Sequence, residues 1–258
     1  VGHCREFFYL GGSMGIEIER KNIIYKIDRI AEWIREKVIS AEKKGTIFGL
    51  SGGIDSAVIA ALCKKVFPDN VMALILPCES NTLDIEDSLK VVNKYNINYK
   101  IIDLTAIYNQ LLLIMETEGD KMAKANIKPR LRMIVLYYYA SILDCLVVGT
   151  GNKSELSIGY FTKYGDGGVD ILPLGNILKV EVRAMAEQLS VPKSIIEKPP
   201  TAGLWENQTD ENEMGFSYAI LDSFLKTGKV EDKEIENKIL QMNRVSEHKR
   251  TRPPIPEI

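Results

Sequence analysis

The chain has 258 residues, 45% of them hydrophobic and 26% charged, which is ample for the core of one large α/β domain or two small ones. Its 33 basic and 35 acidic residues leave a net charge of −2, so no broad basic field points to a nucleic-acid partner. No apolar run approaches the roughly 18 residues of a membrane span, and no signal-peptide pattern opens the chain; a cytoplasmic location is the default expectation. Cys4, Cys63, Cys78 and Cys145 form no Cys-x-x-Cys pair, which argues against a zinc site or a disulfide framework and for reduced, structural thiols.

Residues 1–21 carry little pattern and are expected to be an N-terminal extension to a single domain over 22–258. Asn22 to Ile39 places Ile23, Ile27, Ile30, Ile34 and Val38 on one helical face, with Trp33 packed beside it. Thr46 to Leu50 is apolar and β-prone, Ser51-Gly52-Gly53 supplies a tight turn, and Ala57 to Val66 has helical spacing. A strand that opens directly into a helix aims unpaired N–H groups and the positive dipole end at one spot, where phosphate binds. Gly52 and Gly53 admit a close anion, and the Ser51 and Ser56 hydroxyls can donate to it. Asp55 would repel phosphate unless a cation lay between them, which suggests a magnesium ligand. No Gly-Lys-Ser/Thr follows, so this is not the Walker pattern. The competing description is an ordinary strand-turn-helix capped by an acidic residue.

Val71 to Leu76 and Asn98 to Ile102 read as further strands around a helix over Asp84 to Tyr95. The alternation predicts a doubly wound parallel sheet flanked by helices, with the site at the carboxyl ends of the strands. Ile107 to Met115 is expected to be helical and Glu116 to Asp120 a loop. Ile134 to Leu143 reads as a buried helix preceded by Lys128, Arg130 and Arg132, its tyrosines 137–139 serving core and interface packing. Pro129 favours a helix start nearby.

Cys145 to Val148 is a fourth strand, and it runs into Gly149-Thr150-Gly151-Asn152-Lys153-Ser154-Glu155. This second glycine turn brings another carboxylate to the same edge, where Asp55 and Glu155 could share one cation. Gly159 to Asp170 is too rich in glycine for a regular element and reads as a functional loop. Lys179, in the first turn of a helix over Leu178 to Leu189, opposes the dipole and suggests a facing anion. Pro199-Pro200-Thr201 is rigid. Asp210 to Leu225 and Val230 to Val245 are expected to be two helices forming a C-terminal cap, followed by a basic tail that is solvated or reaches a phosphate.

Ser51-Gly-Gly-Ile-Asp-Ser resembles the pyrophosphate loop of the ATP pyrophosphatases. Together with Gly149-Thr-Gly-Asn-Lys-Ser-Glu, Phe161-Thr-Lys-Tyr-Gly-Asp-Gly-Gly, Pro200-Thr-Ala and Glu247-His-Lys-Arg, in that order, the chain is similar over about residues 20–256 to the ammonia-dependent NAD synthetases. The resemblance implies an adenine nucleotide alpha hydrolase-like fold. It also implies ATP- and Mg2+-dependent amidation of nicotinic acid adenine dinucleotide, through an adenylated intermediate, to NAD, AMP and pyrophosphate. By position, Gly49, Leu50, Ser51, Gly52, Gly53, Ile54, Asp55, Ser56, Thr150, Lys179 and Thr201 would hold ATP, with Asp55 and Glu155 on magnesium. Arg130, Lys163, Asp170, His248 and Lys249 would bind the dinucleotide, and Asp166 would take a proton from ammonium. A glutamine-dependent relative would need an additional amidase domain for which 258 residues leave no room. Free ammonia, or ammonia handed over by a separate protein, is therefore the implied nitrogen source, and a homodimer the implied assembly. A tRNA-thiolating relative should carry paired reactive cysteines and a basic surface, and neither is seen. A nucleotide-sensing module would have no reason to assemble Asp55, Glu155, Lys179 and Asp166.

Overall fold

The computed structural model describes residues 13–257, apart from 116, 202, 204 and 206–208. In chain order the elements are α1 (Ser13–Ser40), β1 (Gly45–Gly49), α2 (Ile54–Val66), β2 (Val71–Ile75), α3 (Thr82–Tyr95), β3 (Asn98–Ile101) and α4 (Thr105–Leu113). There follow α5 (Lys121–Ala125), α6 (Ile127–Leu143), β4 (Cys145–Val147), α7 (Lys153–Ile158), α8 (Lys179–Gln188) and α9 (Lys193–Ile196). The last four are α10 (Asp210–Met214), α11 (Tyr218–Thr227), α12 (Lys233–Val245) and α13 (Glu247–Arg250).

The strands form one parallel sheet in the order β3-β2-β1-β4, with Thr46 opposite Val71 and Leu146, and Met72 opposite Asn98. Side-chain alternation along a strand splits the core between the two faces. Phe48, Ala73, Ile75 and Leu146 pack with α1, α2 and α8, while Ile47, Leu74 and Val147 pack with α4 and α6. Both faces are covered, as a parallel sheet requires, and the doubly wound α/β expectation holds. The order reverses beside β1, so the crevice for a ligand lies at the carboxyl ends of β1 and β4.

A third cluster joins Ile158 of α7 to Met214, Phe216, Leu221 and Ile239, and forms the helical C-terminal cap. The expected continuous helix over Asp210 to Leu225 is two. Gly215 adopts φ +78° and ends α10, and the Ser217 side chain accepts the Ile220 N–H to start α11. α6 starts at Ile127 rather than near Ile134, so Arg130 and Arg132 lie within it and Pro129 occupies its first turn, where no N–H is needed. It is also less buried than expected, since Ile134, Tyr138 and Ile142 are exposed. α1 begins at Ser13, ahead of the expected Asn22. No helix among the described residues is long and apolar enough to cross a membrane.

Cys63, Cys78 and Cys145 are free and buried, and burial pushes each thiol up, Cys63 to about 12. Their burial fits the structural role expected of them; Cys4 lies outside the described residues.

The α1 stripe carries Ile34, fully buried against the α2 and α8 layer. Ile34→Ala should lower the unfolding free energy by about 2–5 kcal/mol in urea titration; a change below about 0.5 kcal/mol would show that α1 is not part of the core.

Candidate active site

Leu50 N–H donates to Leu74 O at 2.9 Å, so strand pairing persists to the edge of the glycine turn. α2 then starts at Ile54 with Gly53 as its N-cap, and no side chain caps its first-turn N–H groups. The helix start is thus uncapped, as expected from the sequence, and its free N–H groups are of the kind that suits an anion. Gly52 has φ +75°, and a Cβ there would stand 2.4 Å from Asp84 O, so only glycine fits. Ser51 Oγ and Ser56 Oγ lie 3.2 Å apart, and Ser56 Oγ donates to Gly53 O at 2.9 Å.

The second turn leads from β4 into α7, whose N-cap is Asn152 in a capping box with Glu155. Asn152 Nδ2 also donates to Asp55 Oδ1 at 2.9 Å, tying the two turns together. Between them stands Lys179, the first residue of α8. Its Nζ donates to Asp55 Oδ2 at 2.6 Å and to Glu155 Oε1 at 3.0 Å. The three side chains are only 11%, 16% and 17% exposed, so solvent screens them little. Burial works to lower the Lys179 ammonium, but Asp55 and Glu155 outweigh it and hold the group protonated. Burial raises the Glu155 carboxyl, and the Asp55 charge adds to this against the pull of Lys179. The Tyr218 ring centroid lies 4.9 Å from Lys179 Nζ, and its hydroxyl donates to Asp210 Oδ2 at 2.9 Å.

α8 is held in turn by buried Asp222 of the cap. Asp222 Oδ2 accepts the Val180 N–H at 2.9 Å and Oδ1 accepts the Ser154 hydroxyl, while Ser154 Oγ accepts the Lys179 N–H at 3.0 Å. One carboxylate on α11 therefore fixes both the helix that bears Glu155 and the helix that bears Lys179.

A cavity of about 550 Å³ opens over the carboxyl ends of β1, β2 and β4. It is lined by the first glycine turn from Gly49 to Ser56, Gly52 excepted, and by Thr150, Glu155, Asp166, Lys179, Thr201 and Lys249. Asp166 Oδ1 accepts the Thr162 N–H at 2.9 Å; surrounding protein raises its carboxyl, against the Thr162 N–H and the charges of Arg132 and Lys249. Lys249 Nζ donates to Gly159 O and Phe161 O, both at 2.8 Å. Besides Gly52, four sequence-predicted residues do not line this cavity. Arg130 lies outside it, 3.4 Å from Lys163 O, and Lys163 Nζ donates to the carbonyl of exposed His248. Asp170 accepts the Val147 N–H at 2.8 Å and the Tyr137 hydroxyl at 2.9 Å, bracing β4 against α6.

The sequence profile described as NAD synthase matches residues 26–253. The chain belongs to the NAD synthase family. It is 48% identical over 241 residues to the NH(3)-dependent NAD(+) synthetase of Carboxydothermus hydrogenoformans, covering 92% of this chain and 99% of that one. Among solved structures it is similar to an NMN synthetase from Francisella tularensis, with TM-score 0.88 and 38% identity over 92% of this chain and 99% of the other. It is also similar to the NH3-dependent NAD synthetase of Campylobacter jejuni in complex with nitrate ion, with TM-score 0.78 and 32% identity over 91% and 99%.

Several residues around the family's site escaped the sequence reading. Asn152 was findable, because Asn-x-x-Glu after a strand is a capping-box signature. Tyr218, Asp222 and Lys198 were not, since nothing local distinguishes them. Lys198 pairs with Asp84 at 2.6 Å and Asp87 at 3.0 Å, fastening the segment before Thr201 to α3.

Gly52→Ala should add about 1–3 kcal/mol of local strain, besides the clash with Asp84 O. ATP affinity, measured by calorimetric titration, is expected to fall at least tenfold; unchanged affinity would show that the turn need not approach this closely.

Proposed function

We propose that this NAD synthase family member is a ligase that amidates nicotinic acid adenine dinucleotide with ammonia, consuming ATP and giving NAD, AMP and pyrophosphate. The observation that carries the reading is the convergence of Asp55, Glu155 and Lys179 beside an uncapped helix terminus. It occurs in a chain that spans 99% of a 48% identical NH(3)-dependent relative. The nicotinate carboxylate oxygen attacks the α-phosphorus of ATP and the bond to pyrophosphate breaks; ammonia then attacks the acyl carbon and AMP leaves. Such chemistry needs positioning and charge neutralisation rather than a protein nucleophile. The turn N–H groups, Ser51, Ser56, Thr150, Lys179 and Thr201 supply these for ATP.

Asp55 and Glu155 would hold magnesium. Two oxygen donors already converge on one cation, the Lys179 ammonium, and both suit a hard divalent ion. Among the described residues no third acidic, histidine or cysteine side chain completes a protein-only set, which leaves positions for phosphate oxygens and water. When bound, magnesium would neutralise phosphate charge. The dinucleotide would meet Lys249 inside the cavity and Arg130, Lys163 and His248 at its exterior. That division favours a homodimer whose second subunit extends the binding surface, and the exposed Ile134, Tyr138 and Ile142 on one face of α6 give it an apolar seat. Asp170 would act by holding β4 rather than by contact. The cytoplasm is the proposed location. The same reaction on the mononucleotide, giving NMN, is the second reading, favoured by the Francisella likeness.

Purified protein with ATP, magnesium and nicotinic acid adenine dinucleotide should form NAD when ammonium is added and none with glutamine alone. The mononucleotide run in parallel decides between the readings by kcat/KM. Asp55→Asn should abolish pyrophosphate release while leaving the melting temperature within a few degrees; near-normal turnover would defeat the metal role.

Asp166 must be ionised to accept a proton from ammonium. Because its carboxyl is raised, amide formation should be lost as pH falls through that raised value, higher than for an ordinary carboxylate. At fixed free ammonia, Asp166→Asn should slow amide formation and remove this pH limb while single-turnover pyrophosphate release persists. Equal loss of both half-reactions would assign Asp166 to structure.

A further inference from the structure

Four cationic side chains line the cavity: Arg132, Lys179, Lys198 and Lys249. Lys179 and Lys198 are each saturated by two carboxylates. Lys249 and Arg132 are held only by neutral oxygens. Arg132 Nε donates to Leu76 O at 3.0 Å and Nη2 to Ser80 Oγ at 3.3 Å, while Nη1 has no hydrogen-bond partner among the described residues. The acidic groups that influence it, Asp166 and Asp84, act through space without an ion pair.

Arg132 is half-buried, and a guanidinium partly withdrawn from water is normally matched by an anion, because an unmatched charge there is costly. Here one edge of the fork is fixed on the carbonyl just beyond β2 and on the following loop. The side chain lines the same cavity as the glycine turn that precedes α2. Five N–H donors in a rigid plane suit two oxygens of one carboxylate or phosphoryl group. We propose that Arg132 is an oxyanion anchor of this site, binding a phosphoryl or carboxylate oxygen of the reacting nucleotides on the β2 side. The identity of those nucleotides rests on the reaction proposed above. A helix residue would then contribute a direct substrate contact two positions beyond Arg130, on the part of α6 that reaches the cavity.

The competing role is a clamp on the loop over residues 76–81, where Cys78 N–H also donates to Ser80 Oγ at 3.1 Å. Ser80→Ala removes the two contacts to the Ser80 hydroxyl and leaves the guanidinium with its bond to Leu76 O. Arg132→Gln, Arg132→Lys and Ser80→Ala are compared with the parent protein by calorimetric titration of Mg-ATP and, separately, of nicotinic acid adenine dinucleotide. Single-turnover pyrophosphate release and melting temperature are followed alongside. Arg132→Gln should weaken one ligand at least tenfold and slow pyrophosphate release about a hundredfold, the cost of removing one preorganised donor. Arg132→Lys should recover part of the loss, since charge remains but the fork does not, and Ser80→Ala should change either affinity less than threefold. The ligand that weakens identifies the oxyanion's source. Unchanged affinities in Arg132→Gln, or equal losses in Ser80→Ala, would overturn the assignment. Titration needs no turnover, so absent pyrophosphate release by the parent protein would defeat the proposed reaction, while a selective affinity loss in Arg132→Gln would still uphold the anchor.

Discussion

Asp55 and Glu155 stand at the ends of two different turns, and their mutual repulsion is resolved by one ammonium, that of Lys179, placed between them. Two unit charges about 4 Å apart interact with about 4 kcal/mol at an effective dielectric of 20, while removing each ion from water costs several kcal/mol. The attraction and the desolvation nearly offset each other. The cluster is therefore a poor source of stability, and its geometry has to be imposed by the rest of the fold. The parallel register of β1 and β4 brings the two turns level. Asn152 ties one turn to the other, and Asp222 fixes the two helices that carry Glu155 and Lys179.

The same logic explains the layered core. A parallel sheet buried on both faces gives strand ends that cannot shift relative to one another without repacking Phe48 on one side or Ile47 on the other. A rigid edge of this kind can present uncapped N–H groups and a charged cluster without collapsing onto them. The fully buried residues of α2 secure the other end of the phosphate loop.

What could be read from the sequence was what local chemistry dictates. Strand, glycine turn and helix over Thr46 to Val66 follow from neighbouring residues, and so does the second turn before Glu155. Lys179 stood out because a cation at a helix start runs against the dipole. The break inside Asp210 to Leu225 was hidden because Gly215 and Ser217 are separated by an apolar Phe216 that continues the helical spacing. Asp170, Arg130 and His248 illustrate the other limit. Which way a side chain faces depends on partners distant in sequence: the Tyr137 hydroxyl and the Val147 N–H claim the Asp170 carboxylate, a pairing that spacing within the glycine-rich loop does not encode.

The position of Asp222 carries a consequence for how such a protein can change over time. The cap looks like an appendage, since its own small core is centred on Met214, Leu221 and Ile239. Yet its carboxylate is the common fastening of α7 and α8. Recombination that exchanged the cap from Asp210 onward for another helical bundle of equal stability would deliver a folded chain with an unregistered site. The two parts are therefore inherited as one unit, and drift in α11 is constrained by chemistry performed on the opposite side of the interface.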